Sequence, residues 1–119
     1  MRISYGVAGE LPEEEISNLF AYRYSVFVDR LKWDLPGAKD GLEIDQFDRC
    51  DTLYVAARNA RGMLCGCARL LPTTRPYLLG SVFPELMSAG AIPASSEVWE
   101  ISRFCSVNLD RASSRSKQV

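Results

Sequence analysis

The stretch GLEIDQFDRCD at residues 41–51 concentrates carboxylates that could take part in chemistry. They are Glu43, Asp45, Asp48 and Asp51. The chain contains no histidine, so acid–base chemistry must come from carboxylates, lysine, tyrosine, cysteine or water. Proline, glycine and acidic residues predict a long loop over residues 34–51, with room for one helical turn. Loops of this length in compact domains are often functional, so the acidic segment is a candidate site.

An arginine interrupts the apolar stripe of a predicted helix. Residues 11–33 favour a helix because Pro12 and three glutamates suit its first turn and apolar residues recur at three-and-four spacing. The stripe comprises Ile16, Leu19, Phe20, Val26, Phe27 and Leu31. Arg23 occupies the position between Phe20 and Phe27. A guanidinium there is costly unless a carboxylate pairs with it.

Further charges interrupt two predicted strands. Residues 52–58 and 63–72 indicate a hairpin closed by NARG, and its second strand places Arg69 on one face with Met63, Cys65, Cys67 and Leu71. Residues 96–107 predict a later strand, in which Glu100 and Arg103 lie among Trp99, Ile101 and Phe104. The natural partners of these arginines are carboxylates of the acidic loop. We expect Asp45 and Asp48 within salt-bridge reach of at least one of Arg23, Arg69 and Arg103.

Two interpretations of this charge pattern stay open. One is a buried ion-pair network that only fixes the loop, and the other is a site for a polar ligand. The spacing of the acids fits an EF-hand poorly, while a magnesium site from two of the carboxylates stays open. Phe27 suits core packing, and Trp33 at the loop edge suits an aromatic platform. Glu100 and Arg103 reach one cleft only if a β-bulge lies near Ile101–Ser102.

Composition narrows the class of protein. The 119 residues predict one domain, with residues 2–8 as a first strand, a short helix at 78–87 and a polar, unstructured tail at 109–119. The net charge is −1 with no basic block, which excludes an electrostatic footprint for nucleic acid. No apolar run has the length of a signal peptide or membrane span, so we expect a bacterial cytoplasmic protein. The four cysteines, Cys50, Cys65, Cys67 and Cys105, are interpreted as reduced, buried thiols.

Element order and motifs together resemble a known family. The order β-α-loop-β-β-(α)-β predicts an α/β or α+β fold. The stretches YRYSVFVDRLKW, EIDQFD and EVWEISRF closely resemble the signatures of acyl-homoserine-lactone synthases, the LuxI-type autoinducer synthases. The resemblance implies a three-layer fold like that of the GNAT acyltransferases, truncated after its fourth strand, with residues 1–108 as the N-terminal part of the domain.

The resemblance also implies an activity. The amine of S-adenosylmethionine attacks an acyl thioester on acyl carrier protein or coenzyme A, and lactonisation then yields a quorum-sensing signal. Glu100 would be the general base, while Phe27 and Trp33 would line the adenosyl pocket. The implied substrate-binding residues are Arg23, Phe27, Trp33, Glu43, Asp45, Asp48, Arg69, Phe83, Ser102 and Arg103. No metal or prosthetic cofactor is implied, because both small molecules are substrates.

Family members are much longer than this chain, so two alternatives remain. The chain could be a non-catalytic fragment that at most binds the adenosyl substrate. It could instead be another GNAT-like acyltransferase that uses coenzyme A, although the sequence lacks the glycine-rich phosphate loop this requires. We expect residues 1–119 alone to make no lactone and to associate through an uncovered last strand.

Overall fold

The computed structural model describes residues 1–78 and 94–109. Its elements are β1 (Arg2–Val7), a 3-10 turn (Ala8–Glu10), α1 (Glu13–Arg23), a π-helix (Tyr24–Arg30), β2 (Ala38–Lys39), β3 (Leu42–Glu43), β4 (Leu53–Arg58), β5 (Leu64–Pro72) and β6 (Trp99–Cys105). Phe83, most of the predicted helix at 78–87 and most of the tail at 109–119 lie outside the described residues. Among the helices that the structure describes, none is long and apolar enough to cross a membrane.

Four strands form one antiparallel sheet in the order β1-β4-β5-β6. The predicted hairpin is therefore confirmed as β4 and β5. The helix α1 and the π-helix that continues it cover one face of the sheet, where Leu19 and Val26 form a core with Ala56 and Cys67. Burial of these apolar side chains between helix and sheet is the main stabilising contribution.

The predicted helix over residues 11–33 changes its geometry after Arg23. From Tyr24 to Arg30 it is a π-helix, and the Leu31 amide donates to the Val26 carbonyl at 2.9 Å. The wider turn rotates later residues away from the stripe. The inclusion of Leu31 in the buried stripe was therefore wrong, since its side chain is 49% exposed. Arg23 does lie in the core at 1% exposure, as predicted.

Irregular pairing at the start of β5 changes which residues face the core. Ala57 pairs with Gly66 and Arg58 pairs with Leu64, so Cys65 is an extra residue in this strand. The extra residue breaks the two-residue alternation. Leu64, rather than Met63, packs against the helix-covered core. Met63 lies outside β5 and is 44% exposed, so the prediction that it shares a face with Cys67, Arg69 and Leu71 was wrong. The expectation that the cysteines are buried was also wrong except for Cys67, because Cys50 is exposed and Cys65 and Cys105 are partly exposed.

The acidic loop was expected to have room for one helical turn, but it contains a small two-stranded ribbon. Strands β2 and β3 pair in antiparallel fashion through Ala38 and Glu43 and through Lys39 and Leu42. The turn between them uses positive φ angles at Asp40 (55°) and Gly41 (75°), which glycine and aspartate adopt most easily. The ribbon lies against α1 and brings Glu43 to full burial beneath the loop.

Candidate functional site

Three arginines from three separate elements converge on the acidic loop. We call this set the carboxylate–arginine cluster. It consists of Arg23, Glu43, Asp45, Asp48, Arg69 and Arg103. The predicted pairing of Asp45 and Asp48 with these arginines is confirmed, and it spans the end of α1, the loop, β5 and β6.

Arg23 joins two carboxylates of the cluster, Glu43 and Asp48. Its Nη2 lies 2.8 Å from Glu43 Oε1, and its Nη1 and Nη2 donate to the two oxygens of Asp48 at 2.7 and 3.0 Å. This is a bidentate pair, the strongest form of arginine–carboxylate hydrogen bonding. The π-helix begins at the next residue, so Arg23 stands where the helix changes its geometry.

The other two arginines close the cluster from the sheet. Arg69 Nη1 lies 2.6 Å from Asp45 Oδ1 and 3.2 Å from Asp48 Oδ2. Arg103 Nε lies 2.7 Å from Glu43 Oε1, and its Nη2 lies 3.2 Å from Asp45 Oδ2. Three positive and three negative side chains therefore balance one another within one network.

The cluster is deeply buried on one side and reachable on the other. The side chains of Arg23, Glu43, Asp48 and Arg69 are at most 1% exposed. Asp45 is 21% exposed and Arg103 is 10% exposed. We call Asp45 and Arg103 the exposed edge of the cluster, because a ligand can reach the cluster through them.

Pairing fixes the charge states of the buried members. Burial alone raises the pKa of the Asp48 carboxyl, but hydrogen bonding and charge from Arg23, with the charge of Arg69, outweigh burial and lower it to about 2. Burial also opposes the charge of Arg23, yet Asp48 and Glu43 together raise its pKa above the ordinary value. Both groups therefore stay charged at neutral pH.

The three carboxylates come close enough to hold a metal ion, but arginines already satisfy them. Oxygens of Glu43, Asp45 and Asp48 lie within 4.8 Å of one another. Each carboxylate accepts hydrogen bonds from a guanidinium at 3.0 Å or less. The charge balance of the cluster therefore calls for no additional cation.

Strand β6 is bulged, and the bulge directs Arg103 into the cluster. Arg69 pairs with Ser102 and Cys67 pairs with Cys105, so β6 has one residue more than β5 over this span. The predicted bulge is present, but it lies at Arg103–Phe104 rather than at Ile101–Ser102. Arg103 adopts a φ of 53°, which is strained for a residue other than glycine. Ser102 Oγ accepts a hydrogen bond from Arg69 Nε at 3.0 Å.

Glu100 lies further along the same face of β6. It pairs with Leu71, two residues from the pairing of Ser102 with Arg69, so Glu100 and Ser102 point to the same side of the sheet. Its Oε1 accepts a hydrogen bond from the Leu78 amide at 2.9 Å. This places the Glu100 carboxylate on the same face of β6 as Ser102, whose hydroxyl contacts Arg69.

Phe27 and Trp33 form an aromatic wall next to the exposed edge. Their ring centroids are 4.7 Å apart, with an interplanar angle of 31°. Phe27 is 1% exposed and packs in the core, whereas Trp33 is 44% exposed. The Arg103 guanidinium carbon lies 5.9 Å from the Trp33 ring centroid. A flat ligand can therefore cover Trp33 while it contacts the exposed edge.

Sequence reasoning missed Tyr54 as a member of the site. Its hydroxyl donates to Asp48 Oδ1 at 2.7 Å, and the side chain is 3% exposed. Burial and the neighbouring Asp48 carboxylate raise the pKa of Tyr54, so the hydroxyl keeps its proton and stays a donor. Tyr54 pairs directly with Arg69, but this register depends on the irregular pairing at the start of β5, which the sequence pattern did not indicate.

One hydrogen-bond donor of the cluster has no partner among the residues that the structure describes. Arg69 Nη2 is buried and finds no hydrogen-bond partner in residues 1–78 and 94–109. A buried donor without a partner is destabilising by about 1–3 kcal/mol, and a ligand acceptor would remove that penalty.

Comparison with known proteins agrees with this architecture. The model of the autoinducer synthase family matches residues 8–119. An acyl-homoserine-lactone synthase of Ralstonia solanacearum is 55% identical over 105 residues, which cover 87% of this chain and 52% of the relative. An acyl-homoserine-lactone synthase of Acinetobacter baumannii is 43% identical over 119 residues, which cover 100% of this chain and 65% of the relative. The chain thus spans about half the length of the Ralstonia relative.

Solved structures show the same backbone arrangement. TofI, in a ternary complex with an inhibitor and MTA, superposes with a TM-score of 0.79 at 53% identity, over 89% of this chain and 57% of TofI. BjaI, a CoA-dependent acyl-homoserine lactone synthase solved with SAM and isopentyl-CoA, superposes with a TM-score of 0.80 at 34% identity, over 92% and 52%.

Proposed function

This chain belongs to the autoinducer synthase family, and we propose that it forms the part of an acyl-homoserine-lactone synthase that binds S-adenosylmethionine. The observation that carries the proposal is the balanced cluster with Asp45 and Arg103 at its exposed edge, beside the half-exposed ring of Trp33. The SAM and MTA named in the BjaI and TofI structures support this choice of ligand.

The charges of the ligand match those of the exposed edge. S-adenosylmethionine carries an ammonium, a sulfonium and a carboxylate on its methionine part. Asp45 can accept from the ammonium or lie near the sulfonium, and Arg103 can donate to the carboxylate. Trp33 offers a face for the adenine ring. Arg23, Glu43 and Asp48 hold these groups in place from below, so binding requires little reorganisation.

Glu100 is the proposed general base for the acyl transfer. The amine of S-adenosylmethionine must lose a proton as it attacks the thioester carbon, and the sulfur of the carrier leaves. Glu100 shares its face of the sheet with Ser102 and lies beside the cluster, so it can take the proton directly or through a water molecule. The amine nitrogen then bears the acyl group. The carboxylate of the methionine part attacks the carbon bound to the sulfonium, which closes the lactone and releases methylthioadenosine.

The acyl donor is proposed to be a thioester on acyl carrier protein or coenzyme A, with no prosthetic group. A cytoplasmic setting, where both substrates occur, belongs to the same proposal. Phe83 is proposed as a further substrate contact on the family resemblance alone. The alternative is that this chain binds the adenosyl substrate without catalysis. The chain covers 52% of the Ralstonia relative.

A synthesis assay tests the proposal. The protein is expressed both from its complete reading frame and as residues 1–119, and each preparation receives S-adenosylmethionine with acyl carrier protein and coenzyme A thioesters. We expect no lactone from residues 1–119, and lactone, detected by mass spectrometry, from a reading frame that continues through the part of the relatives that these residues do not cover. Glu100→Gln should lower the rate about 10²–10⁴-fold. The exposed neighbour Glu97 provides the matched control, since Glu97→Gln should leave the rate unchanged.

Two results would contradict the proposal. An equal loss in Glu97→Gln and Glu100→Gln would remove the role of Glu100. Lactone made by residues 1–119 as a purified monomer would show that these residues hold both substrates, and the division between an adenosyl part and an acyl part would be wrong.

A further inference from the structure

Two free cysteines face each other across the strand pair next to the bulge. Cys67 on β5 and Cys105 on β6 are direct partners in the sheet register. Their Sγ atoms are 3.7 Å apart, and both thiols are free. Cross-strand partners lie within the range of Cα separations that a disulfide bridges, so closing this gap requires only small side-chain rotations.

This thiol pair is hydrogen-bonded to Arg103, one of the two residues of the exposed edge. The Cys67 thiol donates to the carbonyl oxygen of Arg103 at 3.3 Å. Arg103 is the bulge residue with the φ of 53°, and its side chain bonds Glu43 and Asp45. A change at Cys67 therefore acts on the backbone that aims the Arg103 guanidinium.

The surroundings make one thiol the more reactive. Contact with Cys67 lowers the pKa of the Cys105 thiol to about 7, with a further contribution from the Tyr22 hydroxyl at 3.8 Å. The same contact raises the pKa of Cys67. Cys105 is also the more accessible of the two, since Cys67 is only 6% exposed. A thiolate that small oxidants can reach is the reactive form of cysteine.

We propose that Cys67 and Cys105 are a redox pair, which a hydroperoxide converts to a disulfide. The Cys105 thiolate attacks one oxygen of the peroxide, the O–O bond breaks, and the leaving oxygen takes up a proton. The Cys67 sulfur then attacks the sulfenic acid at Cys105, the S–O bond breaks, and water leaves with the Cys67 proton. Two thiols and hydrogen peroxide thus yield one disulfide and two waters.

The disulfide alters the site through the bulge. A disulfide sulfur has no hydrogen to donate, so the Arg103 carbonyl loses its bond from Cys67. We expect the strained backbone at Arg103 to relax and its guanidinium to shift from Asp45. This consequence, unlike the disulfide itself, rests on the proposed function, because its readout is the affinity for S-adenosylmethionine.

Peptide mapping tests the disulfide without reference to function. Cys65 shares the tryptic peptide 62–69 with Cys67, whereas Cys105 lies in peptide 104–111. The protein, expressed from its complete reading frame with Cys50→Ser and Cys65→Ser, is treated with hydrogen peroxide, alkylated in denaturant and digested. We expect the two peptides to be joined with the loss of two hydrogens, and dithiothreitol to separate them. Cys67→Ser and Cys105→Ser should each prevent the link, with thermal melting to confirm that both variants fold.

Two outcomes would overturn the redox pair. In one, both thiols remain fully alkylated after peroxide treatment. In the other, Cys105 is oxidised to sulfinic acid while Cys67 keeps its thiol, which would mean that Cys67 does not reach it.

A second arm measures the affinity for S-adenosylmethionine by calorimetry. We expect oxidation to weaken binding several-fold, dithiothreitol to restore it, and Cys67→Ser, which keeps a donor for the Arg103 carbonyl, to be insensitive to peroxide. A linked peptide with unchanged affinity would overturn the coupling to Arg103. A linked peptide with no binding in either redox state would contradict the proposed function and leave the redox pair intact.

Discussion

Asp48 and Asp51 stand three residues apart in the same segment, and each pairs with arginine, yet they belong to two different electrostatic regions. Asp48 is 1% exposed and lies in the carboxylate–arginine cluster. Asp51 is 26% exposed and lies 3.0 Å from Arg49 and 3.5 Å from Arg75. We call this second group the surface pair region.

The difference between the regions is the number of partners that replace water. Arg23, Arg69 and the Tyr54 hydroxyl all donate to Asp48, and so does the Asp45 amide at 2.9 Å. Asp51 has two arginine partners, and their side chains are 18% exposed in Arg49 and 56% exposed in Arg75. Buried charges need all of their partners at once, whereas exposed pairs contribute little. The cluster is therefore a preassembled unit, while the surface pair region is ordinary surface.

The largest expected effect separates the two regions by stability. Arg23→Ala leaves Glu43 and Asp48 buried with fewer donors, and we expect it to lower the free energy of unfolding by about 3–5 kcal/mol. Arg75→Ala, the matched change in the surface pair region, should lower it by about 1 kcal/mol or less. Urea denaturation measures both, and similar losses would break the distinction between the regions.

Acid titration separates the regions by pH. The folded-state pKa of Asp48 is about 2, below its ordinary value of 3.8, so ionised Asp48 contributes stability above about pH 4 that is lost as the pH falls toward 2. The contribution is about 2 kcal/mol. Asp48→Asn should flatten this part of the stability curve, measured by urea unfolding between pH 2 and 5, and Asp51→Asn should leave it in place. A curve that Asp48→Asn does not change would argue against the pairing.

A single hydroxyl gives a smaller effect. Tyr54→Phe removes the donor to Asp48 and keeps the ring in the core, so we expect a loss of about 1–2 kcal/mol in thermal unfolding. Tyr5 is 76% exposed, and Tyr5→Phe should change stability by less than about 0.5 kcal/mol. If the Phe substitution at position 54 stabilised the protein, the hydroxyl would not be a working partner of Asp48.

Salt should produce the smallest effect and only in one region. Raising the ionic strength from about 0.1 M to 1 M shortens the screening length from about 10 Å to 3 Å and weakens exposed pairs. The stability difference between the natural protein and Asp51→Asn should then disappear, while the difference for Arg23→Ala persists. Equal sensitivity of both differences would mean that solvent screens the cluster too.

Members of the cluster could be predicted from the sequence because charged residues occupy positions where apolar side chains were expected. Arg23 in a helix stripe and Arg69 in an apolar strand are anomalies of pattern, and both proved buried. The partners could be assigned because the acidic loop offered a dense group of counter-charges outside the predicted helix. Three elements that are far apart in sequence were thereby joined before their positions were known.

Other features could not be read from pattern. The π-helix after Arg23 moved Leu31 to the surface, and nothing in a three-and-four spacing distinguishes an α-turn from a π-turn. The bulge at Arg103–Phe104 depends on pairing with β5, so its position followed from tertiary register rather than local preference. Tyr54 was overlooked because a tyrosine in a half-buried strand is unremarkable until its partner is known.

Calorimetric titration of S-adenosylmethionine tests the central claim, that the exposed edge of the cluster is its binding site. The protein from the complete reading frame should bind the ligand, and Asp45→Asn and Arg103→Gln should each weaken binding at least about tenfold, the loss of one charge-assisted hydrogen bond. Asp51→Asn, a matched change outside the cluster, should bind as the natural protein does. Undiminished binding by folded Asp45→Asn and Arg103→Gln, or an equal loss in Asp51→Asn, would contradict the account.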